Sequence, residues 1–142
     1  MSYNPMTAKL GEILVNENII TEEQLQQALV EQKQKNDKLG NILVSNGTIT
    51  EDDLVKAFSL QVGSKSISED ELIKAPEDIV KLLTEDFAKE NNVITLKKTD
   101  TSIYVAMEDP EDVSTIDAIK KLTQLNPEIL VAGKTAIKNA IE

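Results

Sequence analysis

Two lysines, two Leu-Gly pairs and two glutamines recur at equal spacing early in the chain. The Lys-Leu-Gly tripeptide at 9–11 returns 29 residues later at 38–40, and Gln32 returns as Gln61. A lysine beside the first amides of a helix can hold an anionic group through its charge and through N–H donors. A glutamine on an apolar helix face must form hydrogen bonds, because an unsatisfied buried amide costs roughly 1–3 kcal/mol. The duplication therefore predicts a paired site for a ligand with two anionic groups and two polar edges.

Each of these pairs also has a structural explanation, and the sequence leaves both open. Gly11 and Gly40 stand early in predicted helices, where glycine costs roughly 1 kcal/mol relative to alanine. Something must approach the backbone there closely, either a ligand or a neighbouring helix. Gln32 and Gln61 can bond a loop carbonyl or water instead of a ligand, and a lysine at a helix start is ordinarily solvated. Recurrence at the same repeat positions favours the ligand.

No catalytic group accompanies the paired residues. The chain has no His and no Cys, which removes the commonest general base, the commonest metal ligand and thiolate chemistry. The Gly-Lys-Thr at 133–135 follows a predicted strand and imitates a phosphate-binding loop. The Walker A pattern requires a glycine at position 128, where this chain has Glu128. We therefore interpret 133–135 as a helix entry, and we predict no metal, no cofactor and no enzymatic activity.

Four short helices are predicted to position the repeated residues. Leu10, Ile13 and Leu14 follow the i, i+3, i+4 spacing of one apolar helix face. The segment 21–24, Thr-Glu-Glu-Gln, predicts a capping box at the start of a second helix. The other copy repeats the pattern, with a cap at Thr50.

The remainder of the chain alternates helix and strand signals. It predicts a helix over 76–90 with a break near Thr84, a hairpin of strands at 93–96 and 102–107, a helix from 113, a strand at 129–132 and a last helix at 135–141. The predicted fold class is α+β, with a four-helix tandem-repeat subdomain at 1–62 and a small three-stranded α/β subdomain at 63–142. A linker is predicted at 62–66.

Charge and hydropathy limit the partners. A net charge of −10 argues against DNA or RNA as a partner. No apolar run approaches the roughly 20 residues that span a bilayer. The first residues also lack the basic and apolar regions of a signal peptide. We predict a cytoplasmic protein.

The doubled motif resembles the MshEN domain, the N-terminal regulatory domain of type IV pilus extension ATPases and type II secretion ATPases. In that family R-L-G-x-x-L-x-x-x-G, followed by L-x-x-A-L-x-x-Q, occurs twice around a five-residue spacer, which here is 33–37. The strand, Asp-Pro turn and helix at 104–119 are also similar to the second module of the family. The resemblance implies binding of cyclic di-GMP, with one copy of the motif for each half of the ligand.

The resemblance also implies which residues bind that ligand. They are Lys9, Leu10, Gly11, Leu14, Leu25, Leu29 and Gln32 in the first copy, and Lys38, Leu39, Gly40, Leu43, Gly47, Leu54, Phe58 and Gln61 in the second. Lysine replaces the arginine of the motif in both copies, and lysine lacks the planar fork of arginine. Asn18 replaces the later glycine of the first copy, and asparagine also tolerates a positive φ. Phe58 replaces a leucine, so it either crowds the site or stacks on a base.

The implied partners follow from the family. The chain would be a monomeric regulatory piece of a hexameric ATPase, at the cytoplasmic periphery of the inner membrane, with the motor domain as its partner. The alternative is a docking domain that no longer binds nucleotide and attaches the ATPase to an inner-membrane platform protein. The two lysines favour that alternative, and the retained Leu-Gly and Gln pairs oppose it. The sequence fits a pilus ATPase and a secretion ATPase equally.

Overall fold

The computed structural model describes residues 3–64 and 66–142. These residues form nine helices and one three-stranded sheet, an α+β fold that confirms the predicted class. In chain order the elements are α1 Leu10–Asn16, α2 Glu22–Lys35, α3 Leu39–Ser45, α4 Glu51–Val62, α5 Glu69–Ile73, α6 Glu77–Val80, α7 Glu85–Asn91, β1 Val93–Lys98, β2 Ser102–Met107, α8 Val113–Thr123, β3 Asn126–Val131 and α9 Lys134–Ile141. The chain divides into two units, Met1–Gly63 and Ser64–Glu142. None of the described helices has the length and apolar character needed to cross a bilayer.

Capping boxes start both long helices of the first unit. The hydroxyl of Thr21 accepts a hydrogen bond from the Gln24 amide at 3.1 Å, and the Gln24 side chain accepts from the Thr21 amide at 2.8 Å. Thr50 and Asp53 form the same pair of bonds at 3.1 and 3.0 Å. These bonds satisfy amides that the helix itself leaves without partners. Both predicted caps are confirmed.

The two short helices of the repeat end in the same kind of turn. Asn18 has a φ of 61° and Gly47, at the same repeat position, has a φ of 75°. Residues that carry a side chain rarely adopt this left-handed backbone conformation, and glycine and asparagine adopt it most readily. Asn18 thus takes the conformation that glycine takes in the second copy, as its replacement of the motif glycine implied.

The sheet of the second unit has the strand order β1-β2-β3, with β1 antiparallel and β3 parallel to β2. The antiparallel pairing confirms the predicted hairpin. On one face Val105 packs with Ile119 of α8, and on the other Ala106 packs with Ile137 of α9 and Leu72 of α5. Successive strand residues point to opposite faces, so each strand contributes to both cores.

Several details of the second unit differ from the prediction, beginning with β1, which runs two residues beyond the predicted 93–96. The helix expected over 76–90 is divided into α6 and α7, and Thr84 caps α7 by accepting from the Phe87 amide at 3.1 Å. The break near Thr84 is therefore confirmed, but the first part is only one turn long. Helix α5 was not predicted, and β3 begins three residues earlier than expected.

The predicted linker at 62–66 overlaps the end of α4. That helix includes Val62 and ends at Gly63, whose φ of 73° fits a left-handed helix end. Lys65, within the same predicted linker, lies outside the described residues.

Candidate ligand-binding site

The two Leu-Gly pairs pack against each other across α1 and α3. A Cβ atom built on Gly11 would lie 3.5 Å from Cδ2 of Leu39, and one built on Gly40 would lie 3.5 Å from Cδ2 of Leu10. Each copy thus supplies the leucine that covers the glycine of the other copy. The first turns of α1 and α3 consequently lie side by side.

The closest neighbour of each glycine is a leucine of the following helix. The Cβ built on Gly11 would lie 2.7 Å from Cδ1 of Leu25, and the Cβ built on Gly40 would lie 2.9 Å from Cδ1 of Leu54. At contacts below about 3 Å, a side chain at either position would require the neighbouring leucine to move. Of the two explanations for the glycines, the close approach of a neighbouring helix is the one present in the structure.

Lys9 and Lys38 are the N-cap residues of these paired helices. Both have extended backbones and exposed side chains, and neither side chain forms a capping hydrogen bond. The two helix starts differ in the preceding residue. In the second copy the Asp37 carboxylate accepts from the Lys38 amide at 2.7 Å and from the Asn41 side chain at 3.1 Å. In the first copy that position is Ala8, which carries no carboxylate, and the acidic residue of the first turn of α1 is Glu12 instead.

Seven of the fifteen residues implied by the resemblance are buried. Leu14 and Leu43 are 0 % and 1 % exposed, so their side chains offer no surface to a ligand in this structure. Phe58 is 4 % exposed, so its ring presents no open face on which a base could stack. The buried residues are Leu10, Gly11, Leu14, Leu25, Gly40, Leu43 and Phe58.

An open groove lies along the second half of α2 and the start of α3. Its volume is about 820 Å³, within the range of about 300–1,000 Å³ that is usual for ligand pockets. The lining residues are Gln26, Leu29, Val30, Gln32, Lys33, Asn36, Asp37 and Lys38. The groove thus brings together Leu29, Gln32 and Lys38 from the predicted set. It combines apolar side chains, amides, two ammonium groups and the Asp37 carboxylate, so positive charge exceeds negative and an anionic ligand with a polar edge is favoured.

The two repeated glutamines have different surroundings. Gln61 donates from Nε2 to the carbonyl oxygen of Ala8 at 3.0 Å, which is the loop-carbonyl partner that the sequence left open. Gln32 lines the groove, and its side chain forms no hydrogen bond with another described residue. An amide in the groove is available to a ligand edge.

The remaining predicted residues lie outside the groove lining. Lys9 and Gly47 are exposed, and Leu39 and Leu54 are half-buried. A Cβ built on Gly47 would meet nothing within 4 Å, so its left-handed turn, and no close neighbour, explains the glycine there.

Five groove residues were missed by the sequence analysis. Gln26, Val30 and Lys33 follow α2 at i, i+4 and i+7, so they share the face of Leu29. That spacing was the signal available in the sequence. In the structure Val30 is 59 % exposed, so it does not belong to the core. The others missed are Asn36 and Asp37, beyond the end of α2.

Outside the groove lining, a carboxylate links α2 to the end of α3. Glu31 on α2 accepts from Lys35 at 2.9 Å and from Asn46, the residue that ends α3, at 3.1 Å. The hydrogen bonds from Lys35 and then from Asn46 lower the pKa of the Glu31 carboxyl. The end of α2 is thereby tied to α3.

The described residues contain neither a cluster suited to a metal ion nor a phosphate-binding loop at 133–135. No group of three His, Cys, Asp or Glu side chains in this part of the chain could hold a metal. Gly133 is the N-cap of α9 and Lys134 its first residue, which confirms that this segment is a helix entry.

Comparison with known proteins identifies the family. The sequence model of the MshEN domain matches residues 67–142, more than half of the chain. The type IV pilus assembly ATPase PilB of Myxococcus xanthus (strain DK1622) is 36 % identical over 137 residues, which cover 96 % of this chain and 24 % of that protein. The chain therefore spans about a quarter of the length of this relative.

Solved structures agree in fold. A structure of MshE with cdg has a TM-score of 0.82 and 28 % identity, covering 94 % of this chain and 96 % of that one. The N-terminal domain of XpsE has a TM-score of 0.78 at 20 % identity, covering 99 % and 96 %, which supports the fold alone. The chain belongs to the MshEN domain family, and it is an N-terminal regulatory domain of such ATPases and not their catalytic domain.

Proposed function

We propose that this domain binds cyclic di-GMP through its first unit and thereby regulates the motor of a pilus or secretion ATPase. The observation that carries the proposal is the likeness to MshE, which was solved with cdg, that is c-di-GMP, and which matches 94 % of this chain. The family model matches only 67–142, so the helical repeat is related to known proteins through MshE and PilB.

The chemistry of the first unit supports this ligand. Cyclic di-GMP has two phosphates and two guanines, and the repeat offers a lysine and a glutamine in each copy. Lys9 and Lys38 stand at two helix starts that lie side by side, where charge and N–H groups favour anions. The groove beside Lys38 adds the amide of Gln32 and the apolar surface of Leu29 for a base.

Calorimetric titration of the chain with cyclic di-GMP tests the proposal. We expect saturable heats near one ligand per chain. Cyclic di-AMP is the matched control, because it has the same phosphate ring but adenine edges, and we expect it to bind more weakly. Heats no larger than dilution at roughly tens of micromolar protein would exclude an affinity relevant to signalling.

A docking domain without nucleotide binding is the second candidate. The burial of Leu14, Leu43 and Phe58, together with the bond from Gln61 to Ala8, favours it, because these residues are already occupied within the fold. In this case a chain shown by circular dichroism to be folded would bind neither cyclic dinucleotide. It would instead bind an inner-membrane platform protein in a pull-down with the hexameric parent ATPase.

A further inference from the structure

Lys33 lines the groove although it lies outside the repeated motif. It is the first residue of the five-residue spacer and belongs to the last turn and a half of α2. Its side chain is exposed and forms no ion pair with any described residue. Lys35, two residues further on, is instead bound to Glu31 at 2.9 Å. The two neighbouring lysines therefore differ in whether a carboxylate already neutralises them.

The repeat itself does not require a cation at this position. The residue equivalent to Lys33 in the second copy is Val62, which is half-buried. Lysine is ordinary at an exposed helix position and by itself indicates no function. Lys33, however, lines the groove together with Leu29 and Val30 of the same helix face. A long ammonium side chain on such a wall can cover apolar surface with its stem while its charge reaches the open space.

The charges of the groove favour an anion beside Lys33. The lining holds two ammonium groups, Lys33 and Lys38, and one carboxylate, Asp37. That carboxylate already accepts from the Lys38 amide and from Asn41, so part of its hydrogen-bonding capacity is used within the fold. Lys33 brings the second ammonium group, which the motif residues alone would not supply.

We propose that Lys33 is a further ligand contact, binding a phosphate of the cyclic dinucleotide together with Lys38. The inference rests on the proposed function and makes the two halves of the site unequal, since the second copy has a valine at this place. Phosphate held by two ammonium groups forms charge-assisted hydrogen bonds, which are stronger than neutral ones. Removing one of them should weaken binding about three- to tenfold.

The experiment compares Lys33→Val, which copies the residue of the second repeat, with the matched control Lys35→Val. Both variants remove one positive charge from the same helix, two residues apart, so a general loss of positive potential is common to both. Lys35→Val also removes one of the two bonds to Glu31, while the bond from Asn46 remains. We expect cyclic di-GMP affinity to fall about three- to tenfold in Lys33→Val and to change less than twofold in Lys35→Val. Lys33→Arg keeps a charge and should keep the affinity. The loss in Lys33→Val should shrink at higher salt, because screening weakens exposed charge pairs.

Each outcome is informative. Binding by the natural chain that is unchanged in Lys33→Val, or reduced equally in both valine variants, overturns the role of Lys33 and leaves the proposed function standing. Absence of cyclic di-GMP binding by the natural chain overturns both. Thermal unfolding at the same temperature in all variants shows that the comparison concerns the groove and not the fold.

Discussion

At the residue scale, the repeated glutamines show how one sequence position can acquire two roles. Gln61 is held by the carbonyl oxygen of Ala8, a residue 53 positions earlier in the chain. Gln32 faces the groove with no such partner among the described residues. The repeat predicts equal functions for the two amides, whereas the surrounding backbone distinguishes them.

Single substitutions should separate these roles. Gln61→Ala should lower the free energy of unfolding by about 1 kcal/mol, the usual net value of one hydrogen bond, while Gln32→Ala should leave it unchanged. If Gln32 contacts the ligand, Gln32→Ala should weaken cyclic di-GMP binding by about 1–3 kcal/mol. Urea unfolding without ligand measures the first effect and calorimetry the second. Equal stability of the two variants would show that the Ala8 contact contributes nothing.

The candidate site was predictable only in part. Spacing alone pointed to the lysines and glutamines as candidates, whereas the left-handed turn at Asn18 followed from its place at the motif glycine of the family. It could not separate Leu14 from Leu29, because a periodic leucine has the same pattern whether it faces a core or a ligand. Lys33 lies at helical spacing from Gln26 and Val30, but the sequence contains many lysines, and nothing in the residue type separates this one from the others.

At the element scale, the packing of α1 on α2 and of α3 on α4 depends on the absence of side chains at Gly11 and Gly40. Alanine normally favours a helix over glycine by roughly 1 kcal/mol. Here an added methyl would meet a leucine methyl below 3 Å at both positions. The outcome therefore depends on whether the leucine can move.

The two glycines should respond differently to alanine. Leu25 beside Gly11 is 8 % exposed, whereas Leu54 beside Gly40 is half-buried and has more room to rotate. We expect Gly11→Ala to reduce the free energy of unfolding by about 1–2 kcal/mol, since overpacking a core has costs of that size. Gly40→Ala should reduce the free energy of unfolding by less than about 1 kcal/mol, because the higher helix propensity of alanine offsets most of the overpacking cost. Equilibrium denaturation measures both, and a stabilised Gly11→Ala would contradict this account.

The elements themselves were largely predictable because their signals are local. Thr21 and Thr50 define helix starts by side-chain chemistry within four residues, and the 102–107 strand has the expected bounds. Helices α5 and α6, with five and four residues, are too short for a periodic pattern to register. The early start of β3 depends on its pairing with β2, where Asn126 lies opposite Ser102, and a single segment contains no record of that pairing.

At the scale of the whole molecule, the family match and the candidate site fall on different units. The family model covers 67–142, while the groove belongs to residues 26–38 of the first unit. Membership of the family is therefore established mainly on the second unit, and ligand binding has to be tested on the first.

This division predicts the behaviour of the Gly-Lys-Thr segment. The chain should not hydrolyse ATP, because position 128 is Glu128 and Lys134 opens α9 without a phosphate-binding loop before it. Lys134→Ala should also leave cyclic di-GMP affinity unchanged, since Lys134 belongs to the second unit and does not line the groove. Phosphate release measured beside the Lys134→Ala variant gives the background. Turnover above that background would falsify the assignment as a regulatory piece.

The exchange of leucines between the two copies has a consequence for their ancestry. Leu10 contacts Gly40 and Leu39 contacts Gly11, so a half made of one copy would keep the leucine of its own following helix but lose the second leucine over its glycine. A duplicated gene usually frees one copy to diverge, but here a change at either leucine would open a gap in the opposite copy. Substitutions in one Leu-Gly pair therefore affect the other pair. Equivalent positions outside that contact, such as Lys33 and Val62, could become different residues.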